Sequence, residues 1–490
     1  MPLNLSNRDQ NSGHLFYNRR LRAALTRFSV RMKHDDRKQQ AALAMSVVLV
    51  ALGCGWMALL QFTKPATTVG QSPIVGNRDT GALYAQVEGR LHPALNLTSA
   101  RLVAGSNAAP RWIHGSEIAK HPTGPMIGIP GIPDDLTVSP NPLSAWTVCD
   151  TASGHQPMVT TIAGELPAAG RALPMQESEA ILAVHDNITQ LIWNGHRTPI
   201  NLADRAVAFT LGVDAAATRP VPISNALYDA MPATEPLVVP VIPGAAGPSR
   251  WLPGATIGRV LVTEDADRAA RGFYVLLPDG IQRITAFVAD LLGTIGRNAA
   301  APQLVSSATL MHIPEVHLLD VDFYPTGRLR FRDTATNPVT CVGWKKLATD
   351  RRATVTLLSG QGLPTPASLD ANIVTLVRDS RDPGSVEAQQ VLVSPGAATL
   401  VVTTSGAPAA NTREALYWVS PQGVRYGIDQ DGDTLQALGI DPRRAVQVPW
   451  PILRTFAAGP AISRANALVA RDTVSPVGAV TAIPAPNGTG

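Results

Sequence analysis

The stretch AALAMSVVLVALGCGWMALL, Ala41 to Leu60, constrains this chain more than any other feature, because it runs for twenty residues without a charge. At about 1.5 Å of rise per residue it reaches roughly 30 Å as a helix, the thickness of a bilayer's hydrocarbon layer. A cleaved export signal has a brief basic start, about 7 to 15 apolar residues and a small-residue cleavage site. Here forty residues precede the stretch, and QFTKPATTVG offers no A-x-A site. A helix of a soluble core would show a polar face, whereas Ser46 is the one clearly polar side chain inside. A transmembrane helix is therefore expected over residues 41–61.

Charge sets its orientation. The first forty residues carry nine Lys or Arg and three Asp, a net +6; the whole chain is +4, so the other 450 residues carry −2. Positive flanks stay cytosolic, which puts the N-terminus inside and most of the chain across the membrane. The pI of 9.1 comes from this arm, so nucleic acid is not an expected partner. Within the arm, Leu21, Leu25, Phe28 and Met32 recur at i, i+4, i+7 and i+11 among arginines. That spacing predicts a basic amphipathic helix lying on membrane lipid or docked on a cytosolic partner.

The outer part is expected to be folded, since apolar residues make up 45% and charged residues 16% of the chain. With 41 Pro and 40 Gly, turns must be frequent, which disfavours a helical bundle. Cys54 reads as an ordinary apolar residue of the span. Cys149 and Cys341 lie outside, where oxidation is favoured and no third exported cysteine competes, so they are expected to pair. Two buried free thiols are the alternative.

Four segments resemble one another: ALYAQVEGRLHPALNL, QLIWNGHRTPINL, GFYVLLPDGIQRITAF and ALYWVSPQGVRYGI. Each reads as a hairpin turning at Gly89, Gly195, Gly280 or Gly423, with Asn-Gly and Asp-Gly suited to a type I′ turn. Thirteen to seventeen residues later Gly105, Gly212, Gly293 and Gly439 read as left-handed stops of short helices. The turn glycines are 106, 85 and 143 residues apart, so the first and third gaps hold insertions, each with one exported cysteine. The expected fold is α+β, four hairpin-helix repeats around a disulfide-linked central β domain. Its divisions are a cytosolic arm 1–40, the span 41–61, a linker 62–80, repeat one 81–138 and a first central segment 139–187. Repeats two and three follow at 188–250 and 251–326, then a second central segment 327–412, repeat four 413–462 and a C-terminal extension 463–490, whose last fifteen or so residues, mostly Pro, Ala, Gly and Val without period, are expected to be extended.

Chemistry leaves little trace. No Lys follows a Gly, so the phosphate-cradling G-K-[ST] loop is missing, and neither a G-x-S-x-G elbow nor an H-E-x-x-H zinc helix occurs. HIPEVH groups His312, Glu315 and His317 at a spacing that shares no clean face, and DQDGDT starts a calcium-like loop without its Gly and Glu. Asp433 is expected to cap a helix instead. No metal, cofactor or catalytic residue is assigned, and no enzymatic activity is expected.

Together the basic arm, the span, the four turns, GPMIGIPG, WTVCD, TCVGW and GPAISRANALVARDT resemble the EccB family of mycobacterial ESX, or type VII, secretion systems. The resemblance covers nearly the whole chain. It implies an inner-membrane anchor, a periplasmic domain with the disulfide Cys149–Cys341, pairing with further EccB copies, and partners EccC (an ATPase), EccD, EccE and the mycosin protease. The role it implies is a periplasmic scaffold of the secretion complex. A transmembrane sensor or a tethered cell-envelope hydrolase are the alternatives; the first requires a polar-lined pocket, the second a cleft with perturbed carboxylates.

Overall fold

The charged run KHDDRKQQ has neither Gly nor Pro to interrupt a helix, and the apolar stretch behind it continues the same hydrogen-bond ladder. In the computed structural model, which describes residues 8–28, 33–63, 69–70, 72–140, 142–153, 156–264, 271–294, 301–377 and 386–474, the two form one helix. It is α2 (Lys33–Thr63), and it follows α1 (Arg8–Arg27). The window Gln40–Met57 is long and apolar enough to cross a membrane, and none of it is buried in the protein. The expected face on the arm is not continuous. α1 stops at Arg27 because Phe28 takes a left-handed φ of 51°, which ends the helical ladder. Leu21, Leu25 and Phe28 are exposed, and Met32 lies outside the described residues.

The body follows in chain order. A first group holds β1 (Ile74–Asn77), β2 (Leu83–Val87), β3 (Arg90–Ala94), α3 (Leu97–Ala104), β4 (Arg111–Ile113) and α4 (Gly115–Ile118). After β5 (Met126–Ile127) come β6 (Ser144–Thr151), β7 (Met158–Ala163) and β8 (Ala172–Pro174). A second group holds β9 (Glu179–His185), β10 (Ile188–Trp193), β11 (His196–Ile200), α5 (Arg205–Leu211), β12 (Val221–Pro222) and α6 (Asn225–Ala230). A third holds β13 (Val260–Glu264), β14 (Arg271–Leu277), β15 (Gly280–Ile284), α7 (Ala286–Gly293), β16 (Gln303–Leu304) and α8 (Ser307–Leu310). Next are β17 (Arg330–Phe331), β18 (Val339–Lys346), β19 (Thr354–Gly360), β20 (Val374–Thr375) and β21 (Gln390–Val393). The fourth group holds β22 (Leu400–Thr404), β23 (Leu416–Val419), β24 (Val424–Ile428), α9 (Gly432–Leu438), β25 (Val446–Pro449) and α10 (Trp450–Leu453). The chain then passes through β26 (Ala457–Ala458), α11 (Arg464–Ala467) and β27 (Ala470–Arg471).

Each group builds its sheet in the same order: β3-β2-β1-β4, β11-β10-β9-β12, β15-β14-β13-β16 and β24-β23-β22-β25. In each, three strands run antiparallel and the fourth lies parallel to the first. One pair of backbone bonds recurs as well. The N–H groups of Leu91, Arg197 and Ile281 donate to the carbonyls of Pro122, Pro232 and Pro314, and their own carbonyls accept from Gly124, Thr234 and Val316. Arg425 accepts from Gly459 at the corresponding place in the fourth group.

This pattern moves three expected boundaries. β1 lies in the expected linker 62–80, β9 in the expected central segment 139–187 and β22 in 327–412, yet each is hydrogen-bonded to the hairpin that follows it. β27, in the expected extension, pairs with β5; residues 475–490 lie outside the described residues.

Two expected glycine roles also change. Gly89 and Gly195 turn as anticipated in conformation, each following a second left-handed residue, Glu88 or Asn194, and Gly423 takes φ 81° at the end of a longer loop. In the third hairpin, Pro278 and Asp279 make the turn, and Gly280 is already in β15, paired with Leu277. It is glycine because a Cβ there would collide with the carbonyl oxygen of Pro314. Gly105, Gly212 and Gly439 end α3, α5 and α9 in the left-handed conformation. Gly293 is instead the last residue of α7, and Thr294 follows at φ −83°, its hydroxyl bonded to the Leu291 carbonyl at 2.7 Å.

The apolar faces of these elements meet in pairs. α3 packs on α9, so the first and fourth groups share a core around Leu102, Trp418 and Leu438. α5 packs on α7, so the second and third share another around Leu191, Phe287 and Leu291. Seven further strands form a central sheet, β20-β21-β7-β6-β18-β19-β8, while β5 and β27, β17 and β26 extend the sheets of the first, second and fourth groups; the core face of the central sheet is covered by α6 and α10, one helix from each pair.

Candidate functional site

The spacing W-x-x-C on β6 equals C-x-x-W on β18, so one antiparallel register aligns both: Cys149 opposite Cys341 and Trp146 opposite Trp344. The cysteines, with Cα atoms 4.0 Å apart, are joined in a disulfide, fully buried among Ile162, Val339 and Leu358. Side chains alternate between faces of a strand, so the two tryptophans point the other way, toward α6 and α10. Trp146 meets Phe456 edge-on at 6.1 Å and donates its indole N–H to Ser144 Oγ at 3.0 Å. Cys54 stays free on α2.

Both flanking pairs are fastened to this sheet by polar contacts; on the side of the fourth group, Thr161 Oγ1 of β7 lies 2.7 Å from Thr455 Oγ1. Asp150, next to the disulfide, is buried and accepts from the Ser224 amide at 2.6 Å and hydroxyl at 2.7 Å, and Ser224 in turn caps α6. Burial pushes the Asp150 carboxyl up to about 7, and the bonds from Ser224 offset that only in part. Arg197 on β11 donates from Nε to the Tyr228 carbonyl at 2.9 Å and lies 3.5 Å over the Tyr228 ring, on which His185 also stacks. Arg425 on β24 repeats the device, donating to the Phe456 carbonyl at 3.1 Å beside Trp450. Asp229 of α6 and Arg454, just after α10, form an ion pair that ties one pair of groups to the other. The turns at Gly195 and Gly423 press on the central sheet so closely that a Cβ would come within 2.9 Å of the Val355 carbonyl oxygen or of Val391 Cβ. None of Asp150, Ser224, Asp229 or Arg454 stands out in the sequence; the arginine two places after Gly195 and Gly423 was the one available signal.

The remaining polar motifs resolve locally. His312 bonds the Ala308 carbonyl at 2.8 Å and His317 faces Asp322 at 3.8 Å. Among the described residues no three His, Cys, Asp or Glu side chains are grouped to hold a metal ion. Asp431, not Asp433, caps α9: it holds the extended N-cap conformation and accepts from the Thr434 amide at 2.7 Å, while Asp433 pairs with Arg464 at 3.0 Å.

A family profile described as "Type VII secretion system ESX-1, transport TM domain B" matches residues 3–476. The chain belongs to the EccB family. The "ESX-2 secretion system ATPase EccB2" of Mycobacterium tuberculosis is 57% identical over 488 residues, covering 99% of this chain and 98% of that protein. The "ESX-3 secretion system ATPase EccB3" of Mycolicibacterium smegmatis is 38% identical over 481 residues, covering 96% and 91%. Among solved structures, a chain of an intact ESX-5 inner membrane complex superposes with a TM-score of 0.75 at 34% identity, covering 99% of both chains. A chain of the EccB3 dimer from the ESX-3 core complex superposes with a TM-score of 0.71 at 35% identity, covering 81% of this chain and 100% of that one. The relatives' names call them ATPases; in this EccB chain no Lys follows a Gly, so a G-K-[ST] phosphate loop is not part of the sequence.

Proposed function

We propose that this EccB chain is a structural core subunit of an ESX inner-membrane secretion complex, anchored by α2 with its arm in the cytosol and its body in the periplasm. The observation that carries the reading is the match over 99% of both chains to a component of the intact ESX-5 inner membrane complex. Identity of 57% to the ESX-2 relative, against 36% to an ESX-5 one, favours an ESX-2-type system. Identical strand order in all four groups and the proline bond pair recurring in three support four copies of one unit, and a single such unit, open along one sheet face, needs neighbours to bury it. The role is holding partners, EccC, EccD, EccE, the mycosin protease and a second EccB copy, without chemistry of its own.

Purification in mild detergent tests this: the chain is expected in a large complex with other ESX subunits, and recovery as a lone protein that hydrolyses ATP overturns it. Topology has its own check. A cysteine at Gln422 should react with a membrane-impermeant maleimide on spheroplasts, while one at Gln10 should stay protected until lysis.

A further inference from the structure

Lys346, at the end of β18, is a cation with no counter-charge paired to it among the described residues. It is 7% exposed, and its ammonium donates to the Ala410 carbonyl at 3.0 Å, Asn411 Oδ1 at 2.8 Å and Gln447 Oε1 at 2.8 Å. All three acceptors are neutral. They satisfy its hydrogen bonds but not its charge, and a buried charge is costly unless an opposite one comes close.

The cleft above it holds about 630 Å³ and lies where the central sheet meets the fourth group. Arg413, Arg443 and Arg444 line it together with Lys346. Arg413 is held in place by donating to the carbonyls of Pro442 at 2.9 Å and Ala445 at 2.8 Å. Arg443 pairs with Asp441, and Asp350, the one carboxylate in the lining among the described residues, is engaged with the Leu347 amide. The lining therefore carries four cations against one anion. The same lining includes the apolar side chains of Pro140, Pro142, Leu143 and Leu347. A bare inorganic anion would gain nothing from those apolar side chains, whereas a peptide carrying both carboxylates and aliphatic side chains matches both parts of the lining.

We propose that this cleft receives an acidic, partly aliphatic segment of another protein, with a carboxylate reaching toward Lys346 and the arginines at the rim. The inference rests on the reading of the chain as a subunit that holds neighbours.

The test uses the full chain in detergent, with a fluorescent eight-residue peptide alternating Glu and Leu as the probe. Binding is expected to weaken at least tenfold in the double variant Arg443→Glu/Arg444→Glu, both sites being exposed, and to stay unchanged in Arg283→Glu, an exposed arginine on β15. Lys346→Met, which keeps the stem and removes the charge, should weaken it too. Equal binding to the double variant, equal binding of a Lys/Leu peptide, or displacement by inorganic phosphate at the same concentration overturns the proposal. A photocrosslinker at Leu347 in the native membrane complex gives the second readout: a crosslink to an acidic subunit segment supports it, and a complex that co-purifies intact without one sinks it while leaving the scaffold reading standing.

Discussion

Asp150 shows how a single buried side chain can make the joint between central sheet and second group depend on pH. Burial lifts its carboxyl from the ordinary 3.8 to about 7, so the folded chain binds this proton more tightly than the unfolded chain does. Its contribution to stability is therefore complete below the unfolded value and is lost as pH rises through about 7. Between pH 5.5 and 8 the loss is on the order of 2 kcal/mol by linkage. Denaturant titrations at the two pH values should show the wild type weaker at pH 8, and Asp150→Asn should remove most of that difference while retaining an acceptor for the Ser224 amide. An unchanged slope in the variant would mean that the carboxyl titrates normally. No composition or spacing rule points to this residue: its chemistry is set by burial under packed elements, and the partner that tempers it, Ser224, is 74 positions away in sequence.

At the scale of elements, the hairpins separate two reasons for glycine. Gly89 has left-handed backbone and open space where a Cβ would go, whereas Gly280 has ordinary backbone and the Pro314 carbonyl in that space. Gly89→Ala should cost about 1 kcal/mol for the conformation alone. Gly280→Ala should cost more, roughly 2–3 kcal/mol, because two backbone segments must separate. The reverse order, measured by urea unfolding, would restore Gly280 to the turn. At α9, Asp431→Ala should lower the urea midpoint and Asp433→Ala should leave it almost unchanged, since only the former caps the helix. The same elements show what the sequence could and could not disclose. Local patterns exposed the hairpins, the three left-handed helix stops and the long apolar helix near the N-terminus. They misassigned β1, β9 and β22, because an apolar strand bears no mark of the neighbour it will pair with, and they placed the third turn one residue late because Asp-Gly reads as a type I′ turn even when Pro-Asp makes it.

For the whole molecule, the disulfide matters less for local sheet geometry than for topology. β6 and β18 already pair over eight residues, so their alignment does not need a covalent bond. What the bond adds is closure of a segment 192 positions long that contains the second and third groups entirely. In the chain-entropy view, closing so long a loop restricts the unfolded chain by roughly 5 kcal/mol at most. The two flanking pairs keep their own cores and their contacts through Asp229 and Arg454, so the replacement Cys149→Ala/Cys341→Ala should leave the native fold and its partners in place. Its unfolding midpoint should nevertheless drop to that of the reduced wild type, while Cys54→Ala should change neither. Reductant that leaves the wild-type midpoint where it was would show that pairing and packing alone hold the two halves of the central sheet together. A double variant that loses the native circular dichroism would instead make the bond a condition of folding, with the flanking pairs unable to dock on an unstapled sheet.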